Sequence, residues 1–257
     1  MEIVFRLSCR GTKLKFAVVL LVLFSCSLRA EQLHFVAEDL PPYHFTDKFG
    51  QTQGVLVDIV KAVAEQAKVE YTIELYPFAR AFNLLKAKPN VLMFSLLKSP
   101  SREEQFIWLG DIFHNAAYLV ALKGSKPQLV NLEEAKAYTV GTIRGYYSEA
   151  YLREAGFEEG VNLSLSVRYQ ELWQMLFNHR IDFVLTNTLS LNSELNKLGL
   201  DVIRIERTLE LTDFPYELHL VANLSLAPST ANVLQQALKT IKANGEYQKI
   251  LKQWNIH

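Results

Sequence analysis

The chain reads as an α/β protein whose mainly parallel sheets are flanked by helices and which is exported through its N-terminus. Three observations point there. Short apolar or β-branched runs alternate with helical runs from about residue 33 to the end, the pattern of strand–helix–strand units. A basic segment with Arg6, Arg10, Lys13 and Lys15 precedes an unbroken apolar run at 16–24, and Ala30 offers a small residue for cleavage. That run is too short to span a bilayer, so residues 1–30 read as a signal peptide. Both cysteines, Cys9 and Cys26, fall in this leader. The mature chain then has no disulfide and must be held by its core.

The elements follow in order. Residues 33–37 form a short apolar strand, followed by the turn Leu40-Pro41-Pro42-Tyr43. After Gly54, the residues Val55, Val57, Ile59, Val60 and Val63 recur at helical spacing. Residues 69–75 alternate as a strand, 78–88 read as a helix with Phe82, Leu84 and Leu85 inward, and 91–96 and 118–122 are apolar strands. The second half repeats the pattern: strand 138–143, helix 146–155 stopped by Gly156, strand 163–169, helix 171–179, strand 181–185, helix 189–198 and strand 202–205. A strand at 216–222 and two helices, 229–243 and 246–254, split by Asn244-Gly245, complete the chain. No Pro/Gly/Ser-rich linker and no repeat interrupts it. Ligands on such sheets sit at the carboxyl ends of the strands.

Charge and composition exclude several functions. The leader holds five of the 27 basic residues and one of the 27 acidic ones, so the mature chain carries a net charge of −4. That argues against a non-specific nucleic-acid binder, which displaces counterions with a basic surface. The six histidines show no paired metal-ligand spacing and the mature chain has no cysteine, so neither a metal nor a redox cofactor is expected. No P-loop, Gly-x-Ser-x-Gly or His-Glu-x-x-His phrase is present. A second reading of the leader takes Leu23-Phe24-Ser25-Cys26 as a lipoprotein signal with Cys26 as the lipidated terminus; bulky Phe24 counts against it. A third reading retains the leader as an anchor. All three place the folded part outside the cytoplasm.

Several phrases, in order, carry a resemblance: Pro41-Pro42-Tyr43; Gly54-Val55-Leu56-Val57-Asp58; Pro77-Phe78-Ala79-Arg80; Ser99-Pro100-Ser101-Arg102; Val140-Gly141-Thr142-Ile143-Arg144-Gly145; Arg180-Ile181-Asp182; and Asn244-Gly245-Glu246-Tyr247. Together they resemble the periplasmic solute-binding proteins of the polar amino-acid type, solute-binding family 3, across essentially the whole mature chain. The resemblance implies a two-lobed periplasmic-binding-protein fold of type II with a ligand cleft between the lobes. Lobe one would be 31–119 with 220–257 and lobe two 120–219, hinged near 118–122 and 216–222. It also implies a monomeric receptor that closes on a small solute and delivers it to the membrane permease of an ABC transporter.

The same resemblance singles out ligand-binding positions. Arg102 would grip a carboxylate; it lies in the first turn of a helix capped by Ser99 and begun by Pro100, where the macrodipole disfavours a cation unless an anion meets it. Ser95 aligns with a ligand-holding hydroxyl, while Leu97 replaces a second one. Glu38, Tyr43 and Phe78 would line lobe one's share of the cleft, with core packing the alternative for both aromatics and an ordinary surface acid the alternative for Glu38. Gly145 precedes a helix start able to offer amides to an anion, with Tyr146 and Tyr147 where small hydroxyl residues are usual. Arg144 reads as paired with Glu149 or another surface acid. Asn187 stands where amino-acid binders place a carboxylate for the ligand's ammonium; it reads equally as a helix N-cap. His44 reads as a turn or surface histidine. The expected solute therefore bears a carboxylate, while its ammonium is in question. The competing readings are an exported dehydratase-like enzyme on the same scaffold, with Glu38 or His44 as its acid–base group, and an orphan sensory domain.

Overall fold

The computed structural model describes residues 32–256; the leader with Cys9 and Cys26 lies outside them. Two five-stranded sheets carry the chain. The first takes β1 (Leu33–Ala37), β4 (Tyr71–Leu75), β5 (Val91–Leu97), β6 (Phe106–His114) and β12 (Glu217–Asn223), in the order β4-β1-β5-β12-β6. The second takes β7 (Ala117–Leu122), β8 (Val140–Ile143), β9 (Leu163–Ser166), β10 (Phe183–Asn187) and β11 (Ile205–Glu210), in the order β11-β7-β10-β8-β9. A small hairpin, β2 (Phe45–Thr46) with β3 (Thr52–Gln53), follows β1.

Each sheet is mixed. β4, β1 and β5 run parallel, whereas β12 is antiparallel to both β5 and β6. In the second sheet β8, β9 and β10 are parallel and β7 is antiparallel to β10 and β11. Four of the five strands in each sheet thus point the same way, as expected of mainly parallel sheets, and one in each, β12 and β7, runs against them. The antiparallel members are the strands the chain lays down just after passing between sheets, at 115–116 and 211–216. The two sheets have matching strand orders, read from opposite ends.

Helices cover both faces of each sheet, which is why the strands read as near-continuous apolar runs. Against the first sheet, α1 (Val55–Ala67), α7 (Pro228–Ala243) and α8 (Glu246–Gln253) pack on a core with Phe35, Leu56, Ile59 and Phe94, while α2 (Phe78–Ala87) covers the other face around Leu85 and Met93. In the second half α4 (Tyr147–Glu154) packs over Phe157 and Phe183, and α5 (Tyr169–Phe177) with α6 (Thr188–Lys197) over Trp173 and Leu195. The short α3 (Pro100–Glu103) hangs from β5. Among the described residues no helix is long and apolar enough to cross a membrane.

Two stretches differ from the sequence reading. The expected strand at 202–205 is a single 3-10 turn, Val202–Arg204, and the strand begins at Ile205; Asp201 caps that turn through the Ile203 amide. β6, Phe106–His114, has no counterpart in the sequence pattern above. Gly110 and Asp111 interrupt its apolar pattern, and Gly110 adopts φ +145, a backbone conformation that side-chain-bearing residues rarely take; a Cβ there would also lie 2.8 Å from a Leu238 methyl on α7.

Candidate functional site

Gly54 fixes the first wall of the site. It adopts φ +136, and any Cβ would run into the backbone carbonyl of Tyr43. Without a side chain there, the first amides of α1 reach back to the 41–44 loop: Val55 N–H to Pro42 O and Leu56 N–H to Tyr43 O, both at 3.0 Å. The loop is thereby pinned and its side chains turn inward. Tyr43 is 1% exposed and its ring meets Phe113 edge-on at 5.6 Å. His44, read as a surface group, is 0% exposed. Its Nδ1 lies 2.6 Å from Glu38 O and its Nε2 2.9 Å from Ser95 Oγ. Burial pushes His44 down to about 4, so the ring is neutral.

Ser95 owes its position to a β-bulge. The β5–β12 register pairs Phe94 with Leu220 and Leu96 with His219, leaving Ser95 unmatched. It adopts the left-handed φ of +72, which costs a non-glycine residue roughly 1–2 kcal/mol. The bulge sets Ser95 into the wall of a cavity of about 90 Å³ between the sheets, shared with Glu38, Tyr43, Arg102, Tyr147 and Asn187.

Arg102 reaches that cavity from α3. Ser99 is the N-cap and Pro100 the first helical residue, but the Ser99 hydroxyl pairs with Ser101 rather than with a backbone amide. The guanidinium donates to Leu97 O at 3.3 Å and to Gly145 O at 3.1 Å, and sits 5.2 Å from the Phe82 ring centre. Among the described residues no carboxylate pairs with it; neighbouring Glu103 is held by Lys98 at 2.6 Å. Burial lowers its pKa, the mark of a cation short of a counter-charge.

The second half closes the site. Tyr146 O–H donates to the Glu38 carboxylate, its ring centre lies 4.8 Å from that of Phe78, and Tyr169 meets it edge-on at 6.0 Å. Phe78, for which core packing was the alternative, also stacks on Phe82 and lines the cavity. Tyr147 packs against Phe214 at 5.2 Å. Asn187 caps α6 by accepting from Ser190 N–H at 3.1 Å, and the same Oδ1 accepts the Tyr43 hydroxyl at 2.8 Å. Of the two roles weighed for it, the N-cap is present, and the residue also lines the cavity. Lys197 reaches Asp39 across the same boundary at 3.3 Å.

Glu38 is not a surface acid. Burial raises it to about 7; the Tyr146 hydrogen bond works against that rise, and the charges of Glu194 and Asp39 add to it. Arg144 is paired with Glu159 at the surface. The helix start after Gly145 is less available to an anion than expected, because Glu149 already accepts the Gly145 amide at 2.7 Å.

Sequence reading missed His44 as a buried group, and Asn115, Tyr169, Thr186 and Phe214 as cavity residues. Tyr169 begins a helix just after β9, so the rule placing ligands at strand carboxyl ends was the available signal. Glu194 had none. It is 6% exposed, takes the Trp173 indole N–H at 2.6 Å on Oε2, has no partner for Oε1 among the described residues, and burial raises it to about 7. Among the described residues no cluster of acids, histidines or cysteines is arranged to hold a metal ion.

Comparison with known proteins agrees with this architecture. The family model for bacterial extracellular solute-binding proteins, family 3, matches residues 34–257. The arginine-binding periplasmic protein of Mannheimia haemolytica is 27% identical over 240 residues, covering 92% of this chain and 97% of its own. The ABC transporter arginine-binding protein 1 of Escherichia coli (strain K12) is 27% identical over 233 residues, covering 88% and 91%. Among solved structures, a histidine kinase sensor domain with similarity to periplasmic binding proteins superposes with a TM-score of 0.79 at 18% identity, covering 88% of this chain and 96% of its own.

Proposed function

Because the chain belongs to the bacterial extracellular solute-binding proteins of family 3, we propose that it closes on a cationic amino acid of the arginine type and hands it to an ABC permease. Membership decides against the dehydratase-like reading: this is a solute-binding protein and not an enzyme. The observation that carries the ligand class is Arg102, a half-buried guanidinium in the cavity wall that no protein carboxylate neutralises among the described residues. A ligand carboxylate supplies that charge, and the planar fork binds it bidentately. Glu38, raised to about 7 by burial, suits the ligand's basic end, with the tilted ring pair Phe78 and Tyr146 beside it. The names of the two relatives, both arginine binders, support the same class.

The two sheets with their helices act as lobes, and the hinge lies at the passages 115–116 and 211–216, just ahead of the strands 118–122 and 216–222 expected for it, which each belong to one sheet. The leader is removed after Ala30 and the monomer works in the periplasm; N-terminal sequencing and fractionation test this, with a lipidated Cys26 as the opposing result. The likeness to the kinase sensor domain carries the fold alone. The ligand class is tested by isothermal calorimetry with L-arginine, L-lysine, L-glutamine and L-glutamate. Selective binding of the basic pair supports it, and preference for glutamate or no binding in the panel refutes it. Vesicles carrying the cognate permease separate transport from sensing.

A further inference from the structure

We propose that a second chamber beside the ligand cavity binds a further organic cation, an ammonium or guanidinium group held by Glu194 of α6. This rests on the amino-acid reading above, which gives Glu38 the first cation, and extends it to a part of the cleft that the reading does not use. The chamber measures about 620 Å³. Glu38, Leu40, Phe78, Tyr146 and Tyr169 line both spaces, so these side chains form the partition between them. The hydrogen bond from Tyr146 to Glu38 ties the partition together from both halves of the molecule. Beyond it lie Asp39, Tyr76, Glu194 and Lys197.

The charges of the chamber wall do not balance within the protein. Its three cations each have a protein carboxylate already: Lys197 donates to Asp39 at 3.3 Å, Arg144 is paired with Glu159, and Arg168 donates to Glu171 at 2.7 Å. Asp39 is used up in the same count. Glu38 and Glu194 remain. Glu38 accepts a phenol, and Glu194 Oε2 accepts the Trp173 indole N–H at 2.6 Å. Glu194 Oε1 is sealed from solvent and has no partner among the described residues. Lys197 draws on Glu194 through its field, but its ammonium is bonded to Asp39. Burial is the first cause that raises Glu38, and the charge of Glu194 adds to it, so the two carboxyls share one poorly solvated region. A side chain with one cation neutralises one of them. Two cations neutralise both. The surroundings suit such an occupant. Tyr169 stacks on Trp173, the ring that orients Glu194, with centres 6.4 Å apart, and meets Tyr146 edge-on. Aromatic walls attract cations and pack well against methylene chains. Glu194 is 6% exposed and Trp173 0%, so this acid is built into the fold and does not swing at the surface.

The test is calorimetry on the purified protein at about pH 8, above the value of about 7 to which burial raises Glu194. Two probes are compared: L-lysine with a 4-aminobutyl group on its side-chain nitrogen, and L-lysine with a pentyl group there. They match in length and differ in one terminal ammonium. The wild-type protein binds the amino form about tenfold tighter or more. Glu194→Gln, which keeps an acceptor for Trp173, brings the two within about twofold, and a melting curve confirms that the variant is folded. Titrating 1,4-diaminobutane into protein saturated with L-arginine distinguishes the source of the cation. Binding there that Glu194→Gln abolishes assigns the chamber to a separate amine; the probe preference alone assigns it to the far end of one solute. A wild-type preference below about twofold with no diaminobutane binding overturns the proposal without any variant. A preference that survives Glu194→Gln in folded protein overturns it as well. If no amino-acid probe binds, the amino-acid reading falls. Glu194-dependent binding of 1,4-diaminobutane then still upholds the second site, and its absence sinks both.

Discussion

Arg102 and Glu38 mark the two ends of the chemistry at the scale of single residues. Replacing Arg102 by alanine removes a charge-assisted, partly desolvated contact, a loss of about 2–5 kcal/mol, so affinity for L-arginine falls at least about thirtyfold. Lysine restores part of it, since it keeps the charge without the fork. The protein stays folded in both variants, because the side chain lies in a cavity wall and not in a core cluster; calorimetry together with a melting curve checks this. Glu38 and Glu194 govern the pH response. Burial is the first cause of the rise in each, from an ordinary 4.5 to about 7. On account of these two groups the folded protein holds protons between about pH 4.5 and 7 that the unfolded chain has released, so the carboxyls' contribution to stability falls as pH rises through that window, while His44, lowered from 6.5 to about 4, contributes with the opposite sign. A ligand cation beside Glu38 reverses this by pulling its pKa down. Binding then expels a proton, and affinity for arginine climbs as pH rises towards 7. Calorimetry in buffers of different ionisation heat reads the proton directly, and Glu38→Gln flattens the profile.

At the scale of elements, the decisive unit is the 41–44 loop clasped by the start of α1. Gly54 is the residue that permits it. Gly54→Ala combines an unfavourable φ with a backbone collision, a cost of about 1–3 kcal/mol or more. For a protein of this size each kcal/mol lowers Tm by roughly 2–4 °C. Arginine affinity falls too, because the displaced loop carries Tyr43 and His44. Differential scanning calorimetry and a binding isotherm test the pair of effects. A lowered Tm with unchanged affinity would mean that the loop does not position the site. The bulge at Ser95 is the second such device: one unmatched residue in β5 redirects a hydroxyl that regular pleating would aim elsewhere.

On the scale of the whole molecule, a few polar contacts join the two halves: Tyr43 with Asn187, Glu38 with Tyr146, Arg102 with Gly145 O, and Asp39 with Lys197. The last pair is about half exposed at both ends and contributes little. Tyr43→Phe removes one donor while Asn187 keeps its Ser190 cap. A hydrogen bond of net worth about 0.5–1.5 kcal/mol is lost. Arginine then leaves roughly threefold to tenfold faster in stopped-flow release, with Tm almost unchanged. An unaltered release rate would show that this contact does not hold the closed form.

By itself the sequence determined the alternating α/β architecture and the helices that flank both sheets, and its resemblance named eight of the residues that line the cavity. These are local or short-range matters: apolar period, capping residues, and phrases such as Ser99-Pro100-Ser101-Arg102, whose geometry is set within one turn. Glu38, Tyr43, Phe78, Ser95, Arg102, Tyr146, Tyr147 and Asn187 all reach the cavity. Only the tertiary structure decided what state each group is in. The neutrality of His44, the hydrogen bonds of Ser95 and Asn187, and the raised carboxyls of Glu38 and Glu194 depend on partners up to 144 positions away and on burial by elements from both halves. Mixed sheets and the unforeseen β6 have the same origin. Whether a strand such as β12 runs antiparallel, or an edge strand tolerates Gly110, is settled by what packs against it, and no window of sequence contains that neighbour.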